Sequence, residues 1–181
     1  MIRTFIAVNL TPELKRKIGE VAKDFDINGV KPVDSGLLHV TIKFLGPTEE
    51  SKVDSIADAL KKVTVKPFEA KFGSIGGFPN PRSPRVIWVH AEGNFEELNR
   101  QAEDLMSGLG FEREGRFSPH VTVARVKFQS QEQKDKLPGL FEKYKDFKPG
   151  NMEVNSIYLM KSILSPKGPK YEVLKEISLE P

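Results

Sequence analysis

The tetrapeptides His39-Val40-Thr41-Ile42 and His120-Val121-Thr122-Val123 repeat nearly the same sequence within a chain of 181 residues. Each places a threonine two residues after a histidine, and each lies in an apolar stretch typical of a β-strand. The third histidine, His90, has no threonine at that spacing, and we interpret it as structural. The paired motifs indicate an internal duplication, around which the rest of the chain can be arranged.

Side chains alternate between the two faces of a strand, so a histidine and a threonine two residues apart point the same way. This alternation predicts that His39, Thr41 and Lys43 face outward together, as do His120 and Thr122. The residues expected to face the core are Val40, Ile42, Phe44, Val121 and Val123. If two similar lobes pack about a pseudo-twofold axis, the outward faces become opposite walls of one central cleft.

Two imidazoles and two hydroxyls in a cleft suit displacement at phosphorus. Imidazole titrates near neutrality, so one ring can accept a proton while the other donates one. The hydroxyls of Thr41 and Thr122 can donate hydrogen bonds to phosphate oxygens. This chemistry requires neither a metal ion nor a covalent intermediate, and the sequence predicts no cofactor.

The surrounding pattern predicts an α+β fold, because strands and helices mix without the strict alternation of a parallel sheet. Strands are expected over residues 2–9, 38–45, 68–75, 85–90, 119–128, 152–164 and 171–179. Helices are expected from Thr11-Pro12-Glu13, from residue 48, over 95–109 and over 131–144, the last interrupted by Pro138. The connections at 76–84 and 165–170 are too short for crossover helices, which favours antiparallel neighbours. We expect residues 1–181 to form one bilobal domain with helices outside.

Composition narrows the classes of function. The chain has no cysteine, which excludes disulfide frameworks, thiol nucleophiles and cysteine-ligated metal sites and agrees with a cytoplasmic location. No apolar run approaches the length of a membrane-spanning helix. The formal net charge is only +3, which permits an anionic partner without demanding one. Gly73-Ser74-Ile75-Gly76-Gly77 lacks the lysine of a nucleotide-binding loop, so no ATP requirement is expected.

The order of these motifs resembles the 2H phosphoesterase superfamily and, within it, the RNA 2′,3′-cyclic phosphodiesterase family, also called 2′-5′ RNA ligase. The resemblance covers essentially the whole chain. The stretches that carry it are Arg3-Thr4-Phe5-Ile6-Ala7, His39 to Gly46, Pro84 to Val89, Phe117 to Arg125, Tyr158 to Ser162, and Tyr171.

The resemblance implies hydrolysis of 2′,3′-cyclic phosphate ends of RNA to 2′-phosphomonoesters, with reversible 2′-5′ ligation of tRNA halves as a second activity. It implies that His39 is the proton donor, that His120 is the proton acceptor, and that Thr41, Thr122 and Arg125 bind the phosphate. The residues alone leave the donor and acceptor assignment open, because the two motifs are nearly equivalent.

Arg125 does not fit strict alternation, which places it on the face of Val121 and Val123. A charged side chain is disfavoured in a core, so either the strand bulges or ends near Ala124, or Arg125 lies at the rim of the sheet. Arg82, Arg85, Arg113 and Arg116 are weaker candidates for contacts with an RNA backbone.

Two other classes of function remain open from the sequence. One is a phosphodiesterase or exonuclease of the same superfamily acting on another nucleotide substrate. The other is a noncatalytic module that binds RNA ends. Retention of both histidines favours an enzyme over a binding module, because arginine or lysine would serve phosphate binding alone. We expect a monomer with no membrane partner.

Overall fold

The computed structural model describes residues 1–181 and contains a single curled antiparallel sheet with four α-helices. The strands are β1 (Ile2–Asn9), β2 (Val30–Pro32), β3 (His39–Thr48), β4 (Phe68–Phe78), β5 (Val86–Glu92), β6 (His120–Val126), β7 (Gly150–Val154), β8 (Ser156–Ser165) and β9 (Gly168–Ser178). The helices are α1 (Pro12–Lys23), α2 (Val53–Leu60), α3 (Phe95–Ser107) and α4 (Gln131–Lys143), with short 3-10 turns at Ser35–Leu37 and Glu50–Lys52. The predicted α+β class is confirmed.

The strands of the sheet are arranged in two similar halves about its centre. Its strand order is β7-β4-β5-β6-β3-β1-β8-β9, with β2 beside β6, so the two motif strands meet at the centre. Outward from the centre, β3 pairs with β1 and then β8, while β6 pairs with β5 and then β4. The two halves are therefore equivalent in strand order as well as in sequence motif.

Helices cover one face of this sheet. Val40 and Val121, which face each other across β3 and β6, belong to a hydrophobic core that also holds Ile18 of α1 and Leu98 of α3. Thr11 caps α1, since its side chain accepts a hydrogen bond from the Leu14 amide at 3.3 Å, and the helix begins at Pro12. With the helices packed behind Val40 and Val121, the opposite face of the two central strands is left open.

Several element boundaries differ from the prediction. The expected strand over 152–164 is two strands, because the chain passes from β7, beside β4, to β8, beside β1, in the other half of the sheet. β2 was not predicted, since three residues carry too little periodicity to recognise. The helix expected from residue 48 begins at Val53, after β3 has continued to Thr48. Pro138 lies within α4 and does not end it. No helix in the chain is long and apolar enough to span a bilayer.

Candidate functional site

A cavity of about 580 Å³ lies on the open face of the central strands and is lined by both halves of the sheet. All five of the residues that we singled out from the sequence line it: His39, Thr41, His120, Thr122 and Arg125. The structure thus brings the two motifs into one site. His90 does not line this cavity and lies instead at a separate pocket of about 340 Å³, although it is the cross-strand neighbour of His120.

The placement of the motifs follows from one pair of residues. β3 and β6 are joined at Val40 and Val121, and both of these side chains point into the core. The residues on either side of each valine must then point to the other face. Both histidines and both threonines consequently face the cavity.

Each motif strand bulges at the third residue after its histidine. Ile42 has no partner of its own on β1, which pairs Ala7 with Thr41 and Ile6 with Lys43. Val123 is skipped in the same way on β6, where Trp88 pairs with Thr122 and Ile87 with Ala124. Two consecutive residues therefore turn inward in each strand, and the alternation beyond them is reversed.

The bulges overturn two predictions in the first motif. Lys43, expected to face outward, is fully buried, and Phe44, expected in the core, is 58% exposed and lines the cavity. In the second motif the bulge resolves the position of Arg125, which is exposed and reaches the cavity although Val121 and Val123 are buried. Phe44 and Arg125 are equivalent positions, each five residues after its histidine.

Both imidazoles are anchored by the same contact. His39 Nδ1 lies 2.8 Å from the carbonyl oxygen of Leu37, and His120 Nδ1 lies 2.7 Å from that of Ser118. A carbonyl only accepts, so each Nδ1 carries the proton. In the neutral rings Nε2 is therefore the basic nitrogen.

The two Nε2 atoms differ in their surroundings. The Thr41 hydroxyl donates to His39 Nε2 at 2.9 Å when that ring is neutral. His120 Nε2 has no hydrogen-bond partner in the protein. The two histidines are thus placed symmetrically, but only His39 has a hydrogen-bond partner at Nε2.

Burial is the main cause that lowers the pKa of both histidines below the usual 6.5. The anchoring carbonyls of Leu37 and Ser118 act in the opposite direction and raise each pKa. The Arg125 guanidinium adds a further lowering effect on both rings. Both imidazoles are therefore mainly neutral at neutral pH in the unliganded protein.

Aromatic side chains pack against both imidazoles. The His39 ring centroid lies 5.1 Å from that of Phe5 and 5.3 Å from that of Tyr171, the latter edge-on. Phe78 packs edge-on against His120 with centroids 5.2 Å apart. The sequence alone did not point to Phe78, because an aromatic residue in a strand is most often part of a core.

The cavity is far more basic than the net charge of the chain suggests. Its charged lining side chains are Arg3, Lys31, Asp34, Arg125, Lys127 and Lys167. Only one of these is a carboxylate. Four of the five cations were missed in the sequence because they are scattered along the chain and only the fold gathers them.

The other arginines that we considered lie elsewhere. Arg82, Arg85, Arg113 and Arg116 do not line the cavity, and Arg113 instead forms a 2.8 Å ion pair with Asp104. No group of three or more histidine, cysteine, aspartate or glutamate side chains is arranged to hold a metal ion.

The geometry defines a two-histidine site on a duplicated antiparallel sheet, and comparison with known proteins agrees with this class. Residues 10–164 match the profile of the 2′-5′ RNA ligase superfamily. The chain belongs to this superfamily. The family expected from the two motifs is thereby confirmed.

Relatives of known name span nearly the whole chain. A protein of Methanocaldococcus jannaschii named RNA 2′,3′-cyclic phosphodiesterase is 39% identical over 176 residues, which cover 97% of this chain and 99% of that protein. A protein of the same name from Archaeoglobus fulgidus is 38% identical over 177 residues, covering 96% and 98%. The crystal structure of a Thermus thermophilus protein superposes with a TM-score of 0.83 at 28% identity and covers 98% of both chains.

Proposed function

We propose that the protein hydrolyses 2′,3′-cyclic phosphate ends of RNA to 2′-phosphomonoesters. The observation that carries the proposal is the convergence of both His-x-Thr motifs on one cavity, with each Nδ1 anchored so that Nε2 is the nitrogen of each ring that can exchange a proton. The name shared by the two archaeal relatives supports the substrate class. The protein is thus a hydrolase acting on phosphoesters.

His120 is the proton acceptor and His39 the proton donor. His120 Nε2 is free of protein partners, so it can bind the attacking water and remove its proton as the new oxygen–phosphorus bond forms. His39, protonated on Nε2, gives its proton to the departing 3′-oxygen as the bond from phosphorus to that oxygen breaks. The products are a 2′-phosphomonoester and a free 3′-hydroxyl, and the proton gained by His120 restores His39 through solvent.

The threonines and Arg125 stabilise the phosphate. Neutral His39 holds the hydroxyl proton of Thr41, and protonation of Nε2 frees that hydroxyl to donate to a phosphate oxygen. Thr122 occupies the equivalent place in the other motif. Arg125 supplies a fixed positive charge and a planar set of donors for the extra charge on the pentavalent transition state.

This mechanism has a protein group for each proton transfer and for the developing charge, so it requires neither a metal ion nor a nucleotide. With a 5′-hydroxyl in place of water, the same ring opening would form a 2′-5′ linkage: His120 would take the proton of the 5′-hydroxyl and His39 would protonate the departing 3′-oxygen. We propose tRNA halves as the substrates of this ligation, and the reverse of that step would cleave the linkage and restore the cyclic end. We further propose that residues 1–181 act as one bilobal unit, as a monomer, in the cytoplasm. One hydrophobic core that draws on both halves of the sheet supports the single unit.

The test is an RNA oligonucleotide with a 2′,3′-cyclic phosphate end, incubated with the protein in EDTA and without nucleotide, followed by mapping of the product end. A 2′-phosphate is the expected product. A 3′-phosphate, or a requirement for added divalent metal, would overturn the mechanism. An unopened ring with the oligonucleotide bound would instead indicate a binding module, and opening only of small nucleotides would indicate a different substrate.

A further inference from the structure

A group of lysines lines the cavity beyond Arg125, away from the histidines. Lys31, Lys127 and Lys167, which we call the basic cluster, come from β2, from the residue after β6, and from the turn between β8 and β9. The order along β6 is His120, Thr122 and Arg125, with Lys127 after the end of the strand. The basic cluster therefore extends the phosphate-binding wall of the site rather than surrounding the histidines.

The fold forces these like charges together. Lys31 is the cross-strand partner of Arg125. Directly opposed residues of antiparallel strands point to the same face of the sheet, and their β-carbons lie about 5 Å apart. Lys31 Nζ lies 3.7 Å from the position that a β-carbon on Gly168 would occupy, which places it beside the turn that carries Lys167. The turn thus closes the row of cations from the other half of the sheet.

None of these cations has a protein counter-ion. Lys31, Arg125, Lys127 and Lys167 form no salt bridge, although twelve other pairs in the chain do. The only carboxylate of the cavity lining, Asp34, is likewise unpaired. Opposed like charges destabilise a sheet, so an unpaired row in a concave site indicates that its counter-ions come with the ligand.

A cyclic phosphate end does not supply enough negative charge for this row. The ring is a phosphodiester with one negative charge, which Arg125 already balances. Because the ring closes the 3′ end of its strand, every other phosphate of that strand lies on its 5′ side. The additional counter-ions would then be the phosphodiesters of the preceding nucleotides.

We propose that the basic cluster binds the phosphates 5′ to the cyclic end, so that the preferred substrate is an oligonucleotide end rather than a nucleoside 2′,3′-cyclic monophosphate. This proposal rests on the proposed function of the site and adds its substrate class. Lys31, Lys127 and Lys167 are binding residues that determine specificity and take no part in proton transfer.

The experiment compares two substrates with the same terminal base, uridine 2′,3′-cyclic monophosphate and the trinucleotide UpUpU ending in a 2′,3′-cyclic phosphate. The variant is K31Q/K127Q/K167Q, and its matched control is K62Q/K66Q/K134Q. The control removes three exposed lysines that form no salt bridge and lie outside the cavity. Circular dichroism and thermal unfolding establish that both variants fold.

The wild type is expected to favour the trinucleotide in kcat/KM. The cluster variant should lower the ratio of trinucleotide to mononucleotide kcat/KM by about tenfold or more, chiefly through KM, and the control variant should leave the ratio unchanged. Each lost phosphate contact should also reduce the slope of log affinity against log salt by about 0.7. Equal kcat/KM for both substrates in the wild type, or an unchanged ratio in the cluster variant, would overturn the proposal.

Binding separates this proposal from the proposed function. Anisotropy of a labelled UpUpU with a terminal 2′-phosphate needs no turnover. Weaker binding by the cluster variant than by the control, with no ring opening on any substrate, would retain the basic cluster and refute the enzyme. Equal binding by both variants would overturn the basic cluster whether or not rings are opened. A lysine effect seen only when a second strand with a 5′-hydroxyl is added would assign the cluster to that strand and overturn the proposal.

Discussion

Lys43 Nζ donates to both carboxylate oxygens of Glu103, at 3.0 and 3.1 Å, and this ion pair is buried between β3 and α3. The same ammonium donates to the carbonyl oxygen of Glu112 at 2.8 Å, and the Glu114 amide donates to Glu103 at 3.3 Å. The pair therefore ties the segment before the second motif to the strand of the first. It exists because the bulge at Ile42 turns Lys43 inward.

Removal of one partner of this pair should destabilise the protein strongly. Lys43→Met leaves the Glu103 carboxylate buried without its counter-ion, and such a change costs about 3–5 kcal/mol in the free energy of unfolding. Lys43→Met/Glu103→Met, which replaces both charges with apolar side chains, should recover most of the loss. Urea unfolding of the two variants and the wild type measures both effects. A loss below about 1 kcal/mol in the single variant would mean that the pair contributes little.

The bulges also mark the limit of what the sequence could predict. Alternation correctly placed His39, Thr41, His120 and Thr122 on one open face, because that pattern requires only one residue of regular strand on either side of Val40 and of Val121. Alternation failed at Lys43 and Phe44, because the bulge at Ile42 adds one residue and so exchanges the two faces beyond it. No periodic pattern in the sequence marks the position of such a bulge. A charged residue directly after apolar ones was the one available signal, and it was recognised at Arg125.

The basic lining of the cavity lay beyond prediction for a different reason. Arg3, Lys31, Lys127 and Lys167 come from separate elements in both halves, and only the strand order brings them together. The net charge of +3 does not reveal them, because it also sums the many charges that are paired on the helices. The break between β7 and β8 could not be predicted either. The two strands follow each other directly and have similar compositions, so nothing in the sequence shows that they pair in different halves of the sheet.

His39→Ala and His120→Ala should each lower kcat by about 10²- to 10⁴-fold while the protein remains folded. Both rings face the cavity, and their truncation leaves no buried polar atom without a partner, because Leu37 and Ser118 can bind water instead. Ring opening in a stopped assay and far-ultraviolet circular dichroism measure the two effects. His90→Ala is the matched control and should retain activity within a few-fold. Unfolding of either site variant would instead indicate a structural role.

Phe44→Ala should raise KM for an RNA end. The side chain is 58% exposed and lines the cavity, and stacking of a base on an aromatic ring contributes about 1–3 kcal/mol. This corresponds to about a 5- to 150-fold change in KM. Phe128→Ala is the control, because Phe128 is 56% exposed but lies outside the cavity. Equal KM values for the two variants would mean that no base contacts Phe44.

The dependence of kcat/KM on pH should be bell-shaped with its maximum below pH 6.5. The active form has His120 neutral and His39 protonated, so activity rises with pH through the pKa of His120 and falls through the pKa of His39. Both pKa values are lowered in the free protein, chiefly by burial, and the optimum lies between them. A bound phosphodiester anion favours both protonated rings, so the profile of kcat should lie at higher pH than that of kcat/KM.

The residual activity of the histidine variants assigns each limb of that profile. His39→Ala removes the donor and should lose the fall at high pH while it keeps the rise at low pH. His120→Ala removes the acceptor and should lose the rise at low pH while it keeps the fall. Single-turnover measurements with excess protein make these slow reactions accessible. The reverse pattern would exchange the roles of the two histidines, and the hydrogen bond from Thr41 to His39 would then belong to the proton acceptor instead of the donor.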